Sequence, residues 1–304
     1  MKASRGQSLK KDSLLIQTRK LMRRFDLKAR KRLGQHFLID EEVLGLIVSA
    51  AELGHNDVVM EIGPGLGVLT KELARQAGWV LAIELDDKLA AILGESLASF
   101  INVTVINENV LEVDPAALLE GQKTKFPLEG KGPFDYKVVA NLPYYITSPV
   151  LRHFLEASLK PQIMVVMVQK EVAEEIVARP GRMSLLSVSV QLYGEPAIIS
   201  YVPSDCFYPS PEVDSAILKI ALYPQPAVEI SDKESFFTLV RAGFSASRKQ
   251  LVNSLAQGLG VPKTETLTLL KMADIEPQRR AETLSLEEWA CLWRLYNKAG
   301  EPVC

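Results

Sequence analysis

A chain of 304 residues, 47% of them hydrophobic, is long enough to bury a sizeable core in one large domain or two modest ones. It shows no apolar run of bilayer-spanning length and no apolar stretch behind its basic N-terminus, so it reads as neither a membrane protein nor a secreted precursor. The formal net charge of -2 hides an asymmetry: residues 1–32 hold twelve Lys or Arg and two acidic residues, a local charge of +10, and the rest sums to -12.

Residues 1 to about 32 are expected to be polar and mobile. A basic arm on a mildly acidic body can track phosphates without making the whole protein basic. The competing readings are a solvated leader with no specific role and an organellar targeting segment. From there short apolar runs alternate with helical patterns. Residues 58–62 read as a strand that stops at a glycine cluster, 66–77 as a helix, 79–85 as a second strand, 87–97 as a helix capped by Asp86 and Asp87, and 103–106 as a third strand. The Lys-, Gly- and Pro-rich stretch 123–132 reads as an inserted surface loop. Residues 138–140 form a fourth strand ending in a polar-proline turn, 163–168 a fifth, and 171–178 a helix stopped by Pro180-Gly181. Residues 186–192 and 216–220 are late strand candidates. Strands separated by helices indicate an α/β sheet with helices on both faces. After Ala221 only helical patterns remain, over 236–244, 248–257, 263–271 and 285–296. The last opens with Ser285 and Glu288 at capping-box spacing.

Two strand ends carry the chemistry. The first is Glu61-Ile62-Gly63-Pro64-Gly65-Leu66-Gly67-Val68-Leu69-Thr70, where glycines let the backbone turn tightly and approach a ligand. The following strand ends at Glu84, placed to accept hydrogen bonds from ribose hydroxyls. A dinucleotide fingerprint spaces its last two glycines differently, and Glu61 repels a phosphate but not a cationic sulfonium or amino group. The stretch therefore reads as a site for S-adenosyl-L-methionine, against a dinucleotide site or a plain tight turn. At the third strand end, Asn109 is placed to meet the cofactor's adenine edge, or is simply a turn former.

The second is Asn141-Leu142-Pro143-Tyr144-Tyr145-Ile146-Thr147. The Asn141 side-chain oxygen and the Leu142 carbonyl can both accept from an exocyclic amine, and Pro143 stiffens the turn and has no competing N–H. Tyr144 can stack on a base turned out of its helix. So can Phe207, in the proline-rich loop Phe207-Tyr208-Pro209-Ser210-Pro211-Glu212-Val213-Asp214, although core packing competes for either ring. His36, His55 and His153 have no metal-ligand spacing, and no metal is expected. Cys206 lacks a basic partner for a nucleophile's role. The separation of Cys206, Cys291 and Cys304 is consistent with a reducing compartment.

With these motifs together, the chain resembles the bacterial small-subunit ribosomal RNA adenine N6-dimethyltransferase A family. The matching stretches are Leu33-Gly34-Gln35-His36-Phe37-Leu38, residues 61–70, residues 141–147, Gln169-Lys170-Glu171-Val172-Ala173, and residues 207–216. Phe244-Ser245-Ala246-Ser247-Arg248-Lys249 and Leu284-Ser285-Leu286-Glu287-Glu288-Trp289 match as well. The resemblance spans roughly residues 31 to 296. It implies a Rossmann-like methyltransferase domain over 31–222, behind a flexible leader over 1–30, and a smaller all-helical domain over 228–304. It implies transfer of two methyl groups to N6 of each of two adjacent adenines in the 3′-terminal hairpin loop of 16S ribosomal RNA. The enzyme would act on an immature small subunit, as a cytoplasmic monomer. Cofactor contacts map to His36, Leu38, Gly63, Glu84, Asn109 and Asn141, and the reaction centre to Asn141, Leu142, Pro143, Tyr144 and Phe207. His36 stands where Asn is common, Asn109 where Asp is usual, and Met183-Ser184 where Tyr-Gly is common. A large-subunit RNA methyltransferase of the antibiotic-resistance type and a non-catalytic assembly factor are the alternatives.

Overall fold

The computed structural model describes residues 13–27, 30, 34–122, 135–246 and 248–297. Leader residues 1–12, 28–29 and 31–32, Leu33, the whole 123–132 loop, Ser247 and Cys304 lie outside them. Where polar mobility was expected, Leu14–Arg24 forms a helix (α1). Its Leu14, Thr18, Leu21 and Met22 recur at helical spacing, and Leu14 and Thr18 are buried. The short strand β1 (Phe37–Leu38) follows, then α2 (Glu41–Ala50), capped by the Asp40 carboxylate on the Glu42 and Val43 N–H groups at 2.9 Å.

Alternation then builds the sheet. Strands β2 (Val58–Ile62), β3 (Trp79–Ile83), β4 (Val103–Ile106), β5 (Tyr136–Asn141) and β6 (Ile163–Gln169) are parallel. Helices α3 (Val68–Gln76), α4 (Asp87–Ser96), α5 (Pro115–Gln122) and α6 (Thr147–Glu156) lie between them in sequence. Because side chains on a strand point alternately to opposite faces, Val58, Met60, Ile62, Val138, Ala140, Met164 and Val166 enter one apolar cluster, and Val59, Val80, Val139, Val165 and Met167 the other. Both faces are covered, which is why these strands read as continuous apolar runs.

After β6 come α7 (Lys170–Ile176), α8 (Leu185–Gln191), β7 (Gly194–Val202), β8 (Phe207–Tyr208) and β9 (Ser215–Leu222). The strand expected at 186–192 is helix α8. Ser184 accepts from Leu186 N and Ser187 N, and Ser187 Oγ accepts from Ser184 N, a reciprocal cap that starts a helix inside an apolar run. The strand lies next along the chain, in β7, whose pattern was masked by Glu195, Pro196 and Ser200. β7 is an edge strand, where proline is tolerated. The sheet order is β4-β3-β2-β5-β6-β9-β7, with β9 antiparallel to both neighbours, and β1 pairs separately with β8. Order reverses between β2 and β5, so their carboxyl ends flank the crevice where such sheets bind ligands.

The C-terminal helices are α9 (Lys233–Phe244), α10 (Leu251–Leu259), α11 (Lys263–Met272) and α12 (Leu286–Asn297). The Ser285–Glu288 capping box is formed, with Glu288 N on Ser285 Oγ at 3.3 Å and Ser285 N on Glu288 Oε2 at 2.8 Å. Trp289 is fully buried against Gly243. One apolar cluster runs from a sheet face through α6, α7 and α8 into Phe236, Leu239, Leu255 and Trp289. The fold is a Rossmann-like α/β domain followed by a helical bundle. Among the described residues no helix is long and apolar enough to cross a membrane.

Candidate active site

At the end of β2 the chain makes its turn through three left-handed glycines, Gly63 (φ 65°), Gly65 (φ 58°) and Gly67 (φ 74°). A Cβ on Gly65 would sit 3.2 Å from the Phe37 ring and one on Gly67 2.9 Å from Leu93, so sterics as well as φ demand glycine. Glu84, one residue past β3, faces this turn. Its Oε2 accepts from Gly65 N at 3.1 Å and its Oε1 from Asp86 N at 2.9 Å, and each oxygen keeps a further lone pair. Burial raises the Glu84 pKa, and those two backbone N–H bonds partly offset it. Asp86 caps α4 by accepting from Lys88 N and Leu89 N.

Glu61 lies beneath the turn at 1% exposure, and its Oε2 has no hydrogen-bond partner. Burial pushes its carboxyl up to about 8; nearby Thr70 opposes that, although the Thr70 hydroxyl meets no hydrogen-bond geometry, and the Glu84 charge adds to it. An unpartnered buried carboxyl on the wall of a pocket is an acceptor for a cation. A pyrophosphate finds no such welcome here.

Across the crevice, the Asn141 amide at the end of β5 donates from Nδ2 to the His36 carbonyl at 3.1 Å, which leaves Oδ1 as its acceptor. Leu142 N donates to Met167 O at 3.2 Å, and no described group donates to the Leu142 carbonyl. Its side chain is buried, anchoring the turn. After Pro143, Tyr144 shares a hydrogen bond of 2.7 Å with the buried Ser215 hydroxyl, and burial raises its phenol pKa. The Tyr144 ring stacks on His36 at 6.0 Å and 22°. His36 Nδ1 in turn hydrogen-bonds the Pro209 carbonyl at 2.8 Å. His36, Leu38, Glu61, Gly63, Glu84, Asn109 and Asn141 through Tyr144 line one pocket.

Phe207 does not join them. It is 3% exposed, pairs with Leu38 across the β1–β8 ladder, and sits in the apolar cluster with Val202 and Ile217. Core packing claims this ring, and the base-wall role expected of it is not carried forward. The ring that meets Tyr144 is His36, which the resemblance implied as a cofactor contact. Asn109 lines the pocket, but its Oδ1 accepts from Leu111 N at 3.2 Å and its Nδ2 donates to Glu112 at 2.8 Å, so it is a turn former as well. Sequence reasoning missed Ser215, whose only signal was its place at the end of the proline-rich motif. Cys206 is free, and burial pushes its thiol up to about 11, which suits no nucleophile.

A family profile described as ribosomal RNA adenine dimethylase matches residues 26–298. A Dehalococcoides mccartyi protein named ribosomal RNA small subunit methyltransferase A is 53% identical over 287 residues, covering 94% of each chain. The Pelotomaculum thermopropionicum protein of that name is 47% identical over 93% of this chain and 96% of its own. Among solved structures, a dimethyladenosine transferase from Plasmodium falciparum aligns with a TM-score of 0.72 and 25% identity over 86% of this chain and 98% of its own. The 23S rRNA methyltransferase ErmE aligns at 0.66 and 28% over 86% and 100%. With the profile spanning nearly the whole chain and the glycine turn facing the Asn141 turn across one pocket, this protein belongs to the ribosomal RNA adenine dimethylase family.

Proposed function

We propose that this protein transfers methyl groups from S-adenosylmethionine to N6 of two adjacent adenosines in the 3′-terminal hairpin loop of 16S ribosomal RNA, on an immature small subunit. The observation that carries the reading is the Asn141 amide, tied by Nδ2 to His36 and free at Oδ1, across the pocket from the glycine turn. The small-subunit target is supported by relatives of that name at 53% and 47% identity, against 28% for the 23S rRNA enzyme.

The pocket fits the cofactor: Glu84 has lone pairs for ribose hydroxyls, the glycine turn leaves room for close approach, and Glu61 offers an unpartnered oxygen to a cation. His36, Leu38, Gly63 and Asn109 complete its lining. When bound, S-adenosylmethionine supplies an electrophilic methyl group on a sulfonium that leaves readily. What remains for the chain is positioning. The adenine amine is a poor nucleophile because its lone pair is delocalised into the ring. Asn141 Oδ1 and the Leu142 carbonyl accept its two hydrogens, which favours a pyramidal nitrogen with the lone pair free to attack. Pro143 keeps the two acceptors in fixed relation. Tyr144, held by Ser215 and backed by His36, presents its other face to the extruded base. The released proton passes to water or a backbone acceptor. One N–H remains after the first transfer and bonds one of the same acceptors, so a second transfer needs no new group. The test is single-turnover transfer of labelled methyl to immature small-subunit particles, with the product nucleoside identified. N6,N6-dimethyladenosine in the 16S hairpin is expected; label on a ring carbon, or no label on these particles while 23S RNA in a parallel reaction accepts it, overturns the reading.

A further inference from the structure

The basic leader was expected to be a mobile arm, yet its described part is a docked helix, and where it docks matters. In α1 every charged residue is basic: Arg19, Lys20, Arg23 and Arg24. Its apolar side packs downward. Leu14 joins the cluster of Leu38 and Phe207, while Leu21, Met22 and the following Leu27 pack on Phe37, Leu66 and Leu89. Those last three residues also line the cofactor pocket. Polar ties hold the segment in place: Lys88 Nζ donates to Asp26 O at 2.9 Å, Arg24 pairs with Glu95, and Arg30 pairs with Asp86 at 2.9 Å. At the other edge, the Arg19 guanidinium lies 4.9 Å over the ring of Tyr208, one residue before the Pro209 whose carbonyl holds His36. The helix thus bridges the cofactor wall and the loop behind the Tyr144 platform, with Arg19, Lys20 and Arg23 exposed on its outer side.

Resting on the reading above, we infer that α1 is part of the RNA interface: a docked basic helix that takes backbone phosphates flanking the target adenines. Three features favour RNA as the occupant. The helix carries no acidic residue to repel phosphate. The body behind it is net acidic, so the positive face is local to this edge of the pocket. Arg19 is also held beside the loop that positions the base platform. Because the helix is already folded and packed, phosphate binding on it carries no folding cost, unlike binding by a disordered arm.

The experiment compares the full chain with its Lys20→Gln, Arg23→Gln double variant, since Gln keeps helix propensity at exposed sites while removing charge. Affinity for a 16S 3′-terminal hairpin fragment is measured across a salt series. Losing two phosphate contacts makes the log–log salt slope shallower by about 1.4–1.8, so the affinity lost between about 50 and 200 mM salt shrinks by about sevenfold to twelvefold. Cofactor affinity and melting temperature are expected to hold, which shows that the helix stays docked. An unchanged slope with weaker methylation of particles would point to a protein surface as the partner and overturn the inference, as would an unchanged slope with unchanged methylation. If the unmodified chain methylates no small-subunit RNA, the proposed reaction falls, while the salt slope still reads the role of α1 separately.

Discussion

In the proposed reaction, Asn141 can serve the amine only because something else orients its amide. The His36 carbonyl holds Nδ2, so Oδ1 faces the pocket. Asn141→Ala is therefore expected to lower the single-turnover methyl-transfer rate about a hundredfold to a thousandfold, with cofactor affinity nearly kept; equal rates would remove this residue from the centre. Glu84 is different, because it already accepts from Gly65 and Asp86 and would add ribose hydroxyls. Glu84→Ala is expected to weaken cofactor binding by about 1.5–3 kcal/mol for each charged hydrogen bond lost, read by calorimetry. Glu61 sets a pH dependence. Its carboxyl is raised from 4.5 to about 8 in the folded protein, so between those values the folded chain holds a proton that the unfolded chain releases. Stability from this group is full below the unfolded value and falls as pH rises toward about 8. A bound cation facing the carboxyl favours its ionised form, so cofactor binding near neutral pH is expected to release a proton. Binding enthalpies in buffers of different ionisation heat measure it, and Glu61→Gln should abolish the difference. Asn141, Glu61 and Glu84 were legible as residues at strand ends. The roles of His36 and Ser215 were not, because each acts on Tyr144 from a distant part of the chain.

At the scale of elements, local hydrogen bonding decided what hydrophobic pattern left open. Residues 186–192 are rich enough in Leu and Val to read as a strand, and the Ser184–Ser187 cap makes Leu185–Gln191 a helix instead. The strand β7 hides its alternation behind Pro196 and a register shift between Ile198 and Ser200. In the bundle, α9 and α12 meet at Gly243, where an added Cβ would lie 2.3 Å from the Trp289 ring. Gly243→Ala gains helix propensity but overpacks the contact, and a net loss of about 1–3 kcal/mol is expected in urea unfolding. A stabilised variant would mean that Trp289 can move aside.

Across the whole molecule, α1 and the pocket of the glycine turn form one packed structure. Deleting residues 1–30 removes Leu14, Leu21, Met22 and Leu27 from beneath the pocket and the Arg30–Asp86 pair from its rim. Cofactor affinity is expected to fall along with the RNA salt slope, and calorimetry on the truncated chain checks it; unchanged affinity would reduce α1 to an RNA surface alone. The sequence by itself determined the α/β class, the glycine turn, the Asn141 turn and the helical C-terminal part. These follow from periodicity, glycine conformation and turn chemistry, which act between near neighbours in the chain. Tertiary structure alone decided which aromatic ring meets Tyr144. Phe207 and His36 are both beside the site in sequence terms, but pairing of β1 with β8 turns Phe207 into the core and leaves His36 against Tyr144. It also decided that the described part of the basic leader holds a packed helix, α1. Leu14, Leu21 and Met22 are too few to signal burial until distant segments supply the surfaces they cover, Leu38 and Phe207 for Leu14, and Phe37, Leu66 and Leu89 for Leu21 and Met22.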